Sequence, residues 1–218
     1  MKIAAIVITY NDDYKFKEWV EHHQLYMDEL YLHIIVDNGS KSEYIQLVEQ
    51  TFIASHIIKR KSNGGCTAAY NDGIRFALSD PVVDAIMLIG NDMKLEPEGV
   101  TKLFEFLMSN RQFGMVAPVL LAKDSLLIDD FGSEVSKMLY MKPYNVGKNI
   151  SDIETKERIV PSVTGGMNMA KRNFYEKTGL QDEKLFMYSD EVDMSIRAQK
   201  AGFKMAVTGE VKSWHQHI

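Results

Sequence analysis

Cysteine is almost missing: Cys66 stands alone, so no disulfide can close within the chain, and this usage fits a reducing compartment. Positive charge is short as well. The 25 Lys and Arg residues are outnumbered by 30 Asp and Glu, and the net charge of −5 speaks against a general nucleic-acid binder, whose affinity would rest on basic residues. The N-terminal apolar run, residues 3–8, is too short to span a bilayer and enters a polar loop with no small-residue cleavage pattern. It reads as a first core strand, and the expected location is the cytoplasm. There is no internal repeat and no low-complexity segment. Neither G-x-G-x-x-G nor G-x-x-x-x-G-K-[ST] occurs, which speaks against a dehydrogenase and a P-loop NTPase. What remains is an ordinary globular composition, 45% hydrophobic and 25% charged, in 218 residues, enough for one large domain or two small ones.

The first half alternates apolar runs with helical spacings, the signature of βαβ units around a parallel sheet. Strands are expected at residues 3–9, 32–36, 56–59 and 85–89. Between them, helices are expected over residues 15–27, around Tyr44–Val48, and after the sharp Asn63-Gly64-Gly65 loop; another follows Pro97. The second half is less regular. Residues 115–119, 126–131, 204–207 and 211–214 read as strands, and 190–201 as a helix with Val192, Met194, Ile196 and Ala198 on its apolar face. Residues 142–156 are polar, carry Pro and Gly, and read as a surface loop, with a lid or linker as the alternative. The thirteen methionines read as core filler, and Cys66, at a helix start, as a small packed residue.

The most informative stretch is the apolar run 85–89, which stops at Gly90 and is followed at once by Asn91-Asp92. In an open α/β sheet, ligands bind just beyond the carboxyl ends of the strands, and a carboxylate there can hold a hard cation such as Mg²⁺ or Mn²⁺. Taken alone, Asp92 reads more simply as a turn residue. Four strand ends of the first half are polar, however: Thr9-Tyr10-Asn11, Asp37-Asn38-Gly39-Ser40, Lys61-Ser62-Asn63-Gly64-Gly65 and Asn91-Asp92. Parallel neighbours point the same way, so these loops gather on one rim and form one site.

In this order, Ile8-Thr9-Tyr10-Asn11, Val36-Asp37-Asn38-Gly39-Ser40, Asn63-Gly64-Gly65 and Asn71-Asp72-Gly73 resemble family 2 of the inverting glycosyltransferases, nearest to its rhamnosyltransferase-like branch. Gly90-Asn91-Asp92, Thr164-Gly165-Gly166, Asp190-Glu191-Val192-Asp193 with Arg197, and His215 match later motifs, so the resemblance runs from Ile6 to His215. It implies the GT-A fold, an α/β domain with a Rossmann-like, mostly parallel central sheet and helices on both faces. Residues 1–118 would grip the nucleotide and 119–218 the acceptor. The donor would be a UDP- or dTDP-sugar, the acceptor a hydroxyl of a glycan or glycolipid, and the setting cell-surface polysaccharide synthesis. Peripheral contact with the inner face of the membrane is compatible with this. Members often continue with helices beyond the late histidine, whereas this sequence ends at Ile218.

The same resemblance assigns roles. Thr9, Tyr10, Asn11, Asp37, Asn63, Gly64, Asn71 and Asn91 would bind the nucleotide, with Asp37 accepting the imide N–H of a pyrimidine. Asp92 and His215 would hold Mg²⁺ or Mn²⁺ (His217 is a weaker candidate), although Gly90 replaces the usual first acidic or Asn position of the metal motif. Gly165 and Gly166 would let the chain pass close to the donor sugar and acceptor. Inversion needs a carboxylate base. The family's Glu-Asp pair is reversed here, so Glu191 falls in the base position and Asp190 just before it, where Asp190 is alternatively a helix N-cap. Asp193 and Arg197, four apart, read as a surface pair. Two other functions stay open on these residues: a catalytically inactive nucleotide-sugar-binding partner of the same fold, and a sugar-1-phosphate nucleotidyltransferase. The latter would want a glycine-rich basic loop after the first strand, which Thr9-Tyr10-Asn11-Asp12 is not.

Overall fold

The protein is described here by a computed structural model covering residues 1–154 and 156–216. Its elements are β1 (Ile3–Thr9), α1 (Phe16–His23), β2 (Leu32–Asp37), α2 (Ser42–Thr51), β3 (His56–Lys59), α3 (Gly65–Ser79), β4 (Ala85–Gly90), β5 (Met93–Leu95) and α4 (Gly99–Ser109) in the first half. Then follow β6 (Phe113–Leu121), β7 (Ile128–Asp130), β8 (Ser133–Val135), β9 (Met141–Pro143), β10 (Glu157–Val160), β11 (Met167–Lys171), α5 (Arg172–Thr178), α6 (Asp190–Lys200) and β12 (Lys204–His215).

Strands β3, β2, β1 and β4 lie side by side and parallel, so their carboxyl ends share one edge. The apolar runs of β1 and β4 explain their place: both are buried along almost their whole length, as central strands covered on both faces must be. Because β2 lies on one side of β1 and β4 on the other, the connections diverge there and leave a crevice at the strand ends. Beyond β4 the sheet continues through β11, β6, β12 and β10, with β11 antiparallel to both its neighbours. Two apolar clusters fill the layers on the two faces of the sheet, one around Ile6, Ile34 and Phe174, the other around Trp19, Ile35 and Leu103.

Several elements depart from the periodicity. Helix α1 stops at His23 instead of Met27, because Leu25 and Tyr26 donate to the carbonyls three residues back and this tighter turn delivers Tyr26 to the core. Residues 142–156, expected as a loop, are irregular over most of their described length but begin with the end of β9 paired to β8, and the following turn returns along β7 through Ile128 N to Lys148 O and Ile150 N to Leu126 O. The two expected closing strands are one, β12, whose register on β6 shifts between Thr208 and Lys212. Among the described residues no helix is long and apolar enough to cross a membrane.

Candidate active site

The loops at the parallel strand ends are stitched to one another. Asn38 donates to Asn63 Oδ1 (3.0 Å) and to Gly65 O (3.1 Å) and accepts from Gly64 N (3.1 Å), tying the end of β2 to the start of α3. Asn11, at φ +51°, donates from its backbone to Ser40 Oγ and accepts from Lys41 N, tying β1 to β2. Asp12 closes the remaining gap. One of its carboxylate oxygens accepts from Asn91 Nδ2 (2.6 Å), Tyr10 N (3.0 Å) and Thr9 Oγ1 (3.1 Å), so the ends of β1 and β4 are held by a single side chain.

Three cavities open along this rim. The first, about 340 Å³, is lined by Thr9, Tyr10, Asn38, Asn63, Gly65 and Asn91 among others. A second, about 230 Å³, has Asn91 and Asp92 on one side and Gly165, Asp190 and Glu191 on the other. A third, about 360 Å³, reaches from Asp92 and Lys15 to His22 and Gln216. Asn91 lines all three, so they form one branched cleft of the size that takes a small-molecule ligand.

Asp190 and Glu191 open α6, and the N-cap position, the alternative role for Asp190, is held by Ser189. The segment leading to them is strained: Phe186, Tyr188 and Ser189 all have φ between +57° and +70°, a region side chains other than glycine seldom adopt. Burial pushes the Glu191 carboxyl up to about 7, and the adjacent Asp190 carboxylate adds to it. Burial also raises Asp190, while its hydrogen bond with Glu191 acts the other way. Both carboxyls are therefore held above the ordinary carboxylate range, each by burial and Glu191 also by its neighbour's charge. Gly165 lies against it: a Cβ there would sit 2.6 Å from Glu191 Oε1.

Not every expected residue lines the cleft. Asp37 is buried and spends its carboxylate on Ser40 N (3.1 Å), shaping the loop behind Asn38. Asn71 faces away: its amide donates to Gln181 O (2.9 Å) and Glu183 Oε1 (3.0 Å) and accepts from Gln181 N, clamping α3 to the segment before α6. Gly64 and Gly166 contribute backbone, the latter accepting from Gly90 N (2.8 Å). Asp193 and Arg197 do form the expected pair at 2.6 Å. Cys66, expected as a small packed residue, lines the cleft, donating to Phe186 O. Burial, Asp190 and Glu191 push its thiol up to about 11, which leaves it no nucleophile. Asp12, Lys15 and the 186–188 segment were missed; the acid three residues before a lysine and the aromatic pair flanking Met187 just before the acidic pair were the available signals.

For a divalent cation, the donors on offer are the Asp92 carboxylate and the His215 imidazole, with Nε2 3.8 Å from Asp92 Oδ2. Lys15 Nζ lies 3.3 Å from the same oxygen, and no group of three His, Cys, Asp or Glu converges among the described residues. This set fits an ion held jointly with a diphosphate, the usual arrangement for Mg²⁺, and does not fit an all-protein cage. His217 lies outside the described residues.

A glycine holds the cleft's back wall. Gly65 has φ +83°, and a Cβ there would overlap the carbonyl of Phe186. Gly65→Ala is expected to destabilise the fold by about 1–3 kcal/mol, lowering the melting temperature by roughly 2–10 °C. Gly147→Ala, also at positive φ but with open space around it, should show only the smaller backbone cost in the same melting experiment.

An α/β domain with a branched cleft at the switch point of its parallel strands, faced by the buried Asp190 and half-buried Glu191, has the architecture of a GT-A-type fold. The profile of Glycosyl transferase family 2 matches residues 4–179, and the chain belongs to that family. It is 22% identical over 185 residues to the low-salt glycan biosynthesis hexosyltransferase Agl10 of Haloferax volcanii, covering 84% of this chain and 58% of that protein. It is 22% identical over 223 residues to the dTDP-rhamnosyl transferase RfbF of Shigella flexneri, covering 98% of this chain and 68% of that one, a likeness that agrees with the rhamnosyltransferase-like branch. Among solved structures, GalNAc-T7 with UDP, GalNAc and Mn²⁺ superposes with a TM-score of 0.76 at 12% identity, covering 98% of this chain and 43% of that one. The chain thus spans about half the length of these first matches.

Proposed function

We propose that this chain is an inverting glycosyltransferase that moves a sugar from a UDP- or dTDP-sugar to a hydroxyl of a glycan or glycolipid in cell-surface polysaccharide synthesis. One observation carries the reading: Asp92 and the Asp190–Glu191 pair face a single cavity, which meets the larger one at Asn91. Glu191, assisted by Asp190, takes the proton of the acceptor hydroxyl as its oxygen attacks the anomeric carbon. The bond to the diphosphate breaks on the opposite face and its electron pair leaves with the nucleotide. Thr9, Tyr10, Asn38 and Asn63 line the space for the nucleoside, with Asp37 setting the loop that carries Asn38. Asp92 and His215 are the residues that would hold Mg²⁺ or Mn²⁺, whose chemistry there is to neutralise charge on the diphosphate. The Shigella relative's name, with its dTDP donor, and the UDP and Mn²⁺ of the GalNAc-T7 structure support the same assignment. Residues 1–118 form the nucleotide-binding half and 119–218 the acceptor half of one domain, working in the cytoplasm at the inner membrane face.

Thermal melting tests the donor. At a hundred times Kd, UDP or dTDP should stabilise the fold by about 2.7 kcal/mol, or roughly 5–10 °C, with GDP well behind. Equal stabilisation by GDP, or none by any of the three, would sink the pyrimidine reading.

A further inference from the structure

Lys15 sits where two functions of the cleft meet. Its ammonium is 3.3 Å from Asp92 Oδ2 and 3.8 Å from Asp12 Oδ1, and its side chain is 17% exposed. Asp12 is fixed by Thr9, Tyr10 and Asn91, so one face of this ammonium's site is rigid. Asp92 is a shared partner, since His215 approaches the same Oδ2. Lys15 also lines both the cavity bounded by Tyr10 and Asn63 and the one that holds Asp92, so its flexible stem spans the two. An ammonium and a divalent ion drawn to the same carboxylate repel one another, so each weakens the other's hold on Asp92.

We propose that Lys15 is a stand-in cation for Asp92, which makes divalent-ion binding conditional on the nucleoside diphosphate. Without ligand, the Lys15 ammonium neutralises Asp92 and Asp12 and opposes entry of the metal ion. When a diphosphate enters, it offers the ammonium a stronger acceptor. Lys15 transfers to a phosphate oxygen, which removes its opposition to an ion at Asp92 and His215. The two ligands are then linked, each tightening the other by the same factor. This protects the enzyme from holding a metal in an empty site and orders its loading. The proposal rests on the nucleotide-sugar reading above, and the experiment separates the two.

The measurement is Mn²⁺ binding, followed by the loss of the free-ion electron paramagnetic resonance signal, with and without dTDP or UDP, alongside calorimetric binding of the diphosphates in EDTA. Wild type should bind Mn²⁺ weakly alone and at least about tenfold more tightly with the diphosphate present. Lys15→Met should bind Mn²⁺ about tenfold more tightly than wild type in the absence of nucleotide and should lose about tenfold in diphosphate affinity in EDTA. Lys15→Arg, which keeps the charge, should restore the weak Mn²⁺ binding of wild type, and melting curves show that each variant is folded. If Mn²⁺ binds wild type equally well with or without diphosphate, or if Lys15→Met leaves Mn²⁺ affinity unchanged, Lys15 is not a stand-in. If wild type binds neither diphosphate under any condition, the nucleotide-sugar reading itself is overturned.

Discussion

Glu191→Gln is expected to lower sugar transfer by about 10²–10⁴-fold, the range that a positioned general base supplies. The amide has the shape of the acid but cannot accept the acceptor's proton. Nucleoside diphosphate binding should not be lost, because the cavity bounded by Thr9, Tyr10 and Asn63 does not include Glu191, and the variant only removes negative charge from the cavity Glu191 shares with Asp92. The loss should therefore fall on kcat and not on donor affinity. Wild-type kcat/KM should rise with pH and level off above about 7, because burial and the neighbouring Asp190 hold the Glu191 proton up to that value and a protonated acid is no base. Asp190→Asn separates the two carboxylates. It removes the neighbouring charge that raises Glu191, so the rising limb should move to lower pH with activity retained in part. If Asp190→Asn abolishes transfer while Glu191→Gln does not, the base is Asp190, and the reversed order of the pair has been read the wrong way round.

How much of this was legible in the sequence follows from the range over which each interaction acts. The parallel half was readable because each strand is a short apolar run and each βα loop ends in polar residues; adjacency of the four loop tips needed only the topology. The antiparallel half was not, because β8, β9 and the return along β7 are short ladders set by turns, and residues 141–150 carry no alternation that would mark them as strands. At the site, Asp92, Asp190 and Glu191 were visible as charges placed where apolar runs stop or a helix starts. Lys15 was not: the acid three residues before it was a local signal, but Asp92, the partner that gives it a role, lies 77 residues away. Asn71 shows the converse. It stands in a matching motif, yet its amide is consumed by Gln181 and Glu183 in a segment whose position depends on tertiary packing.

Asp92→Ala is expected to cost about 10²–10³-fold in transfer, the magnitude of losing one preorganised charge-stabilising group in a low-dielectric site. Among the described residues, the change removes the one carboxylate that faces both the cavity of Asp190 and Glu191 and the one reaching His22 and Gln216. Mn²⁺ should then no longer add to the thermal stabilisation that UDP or dTDP gives, since His215 alone is a poor site for a hard cation. Stabilisation by the diphosphate without metal should persist, because Lys15 keeps Asp12 as an anchor within 3.8 Å and can still reach the phosphates. Asp92→Asn keeps the shape and hydrogen-bonding capacity of the side chain but not its charge, so it should resemble the alanine variant if charge is what matters. An asparagine variant with near wild-type transfer and an intact Mn²⁺ response would mean that Asp92 only shapes the turn after β4, and that the ion, if one is used, is held elsewhere.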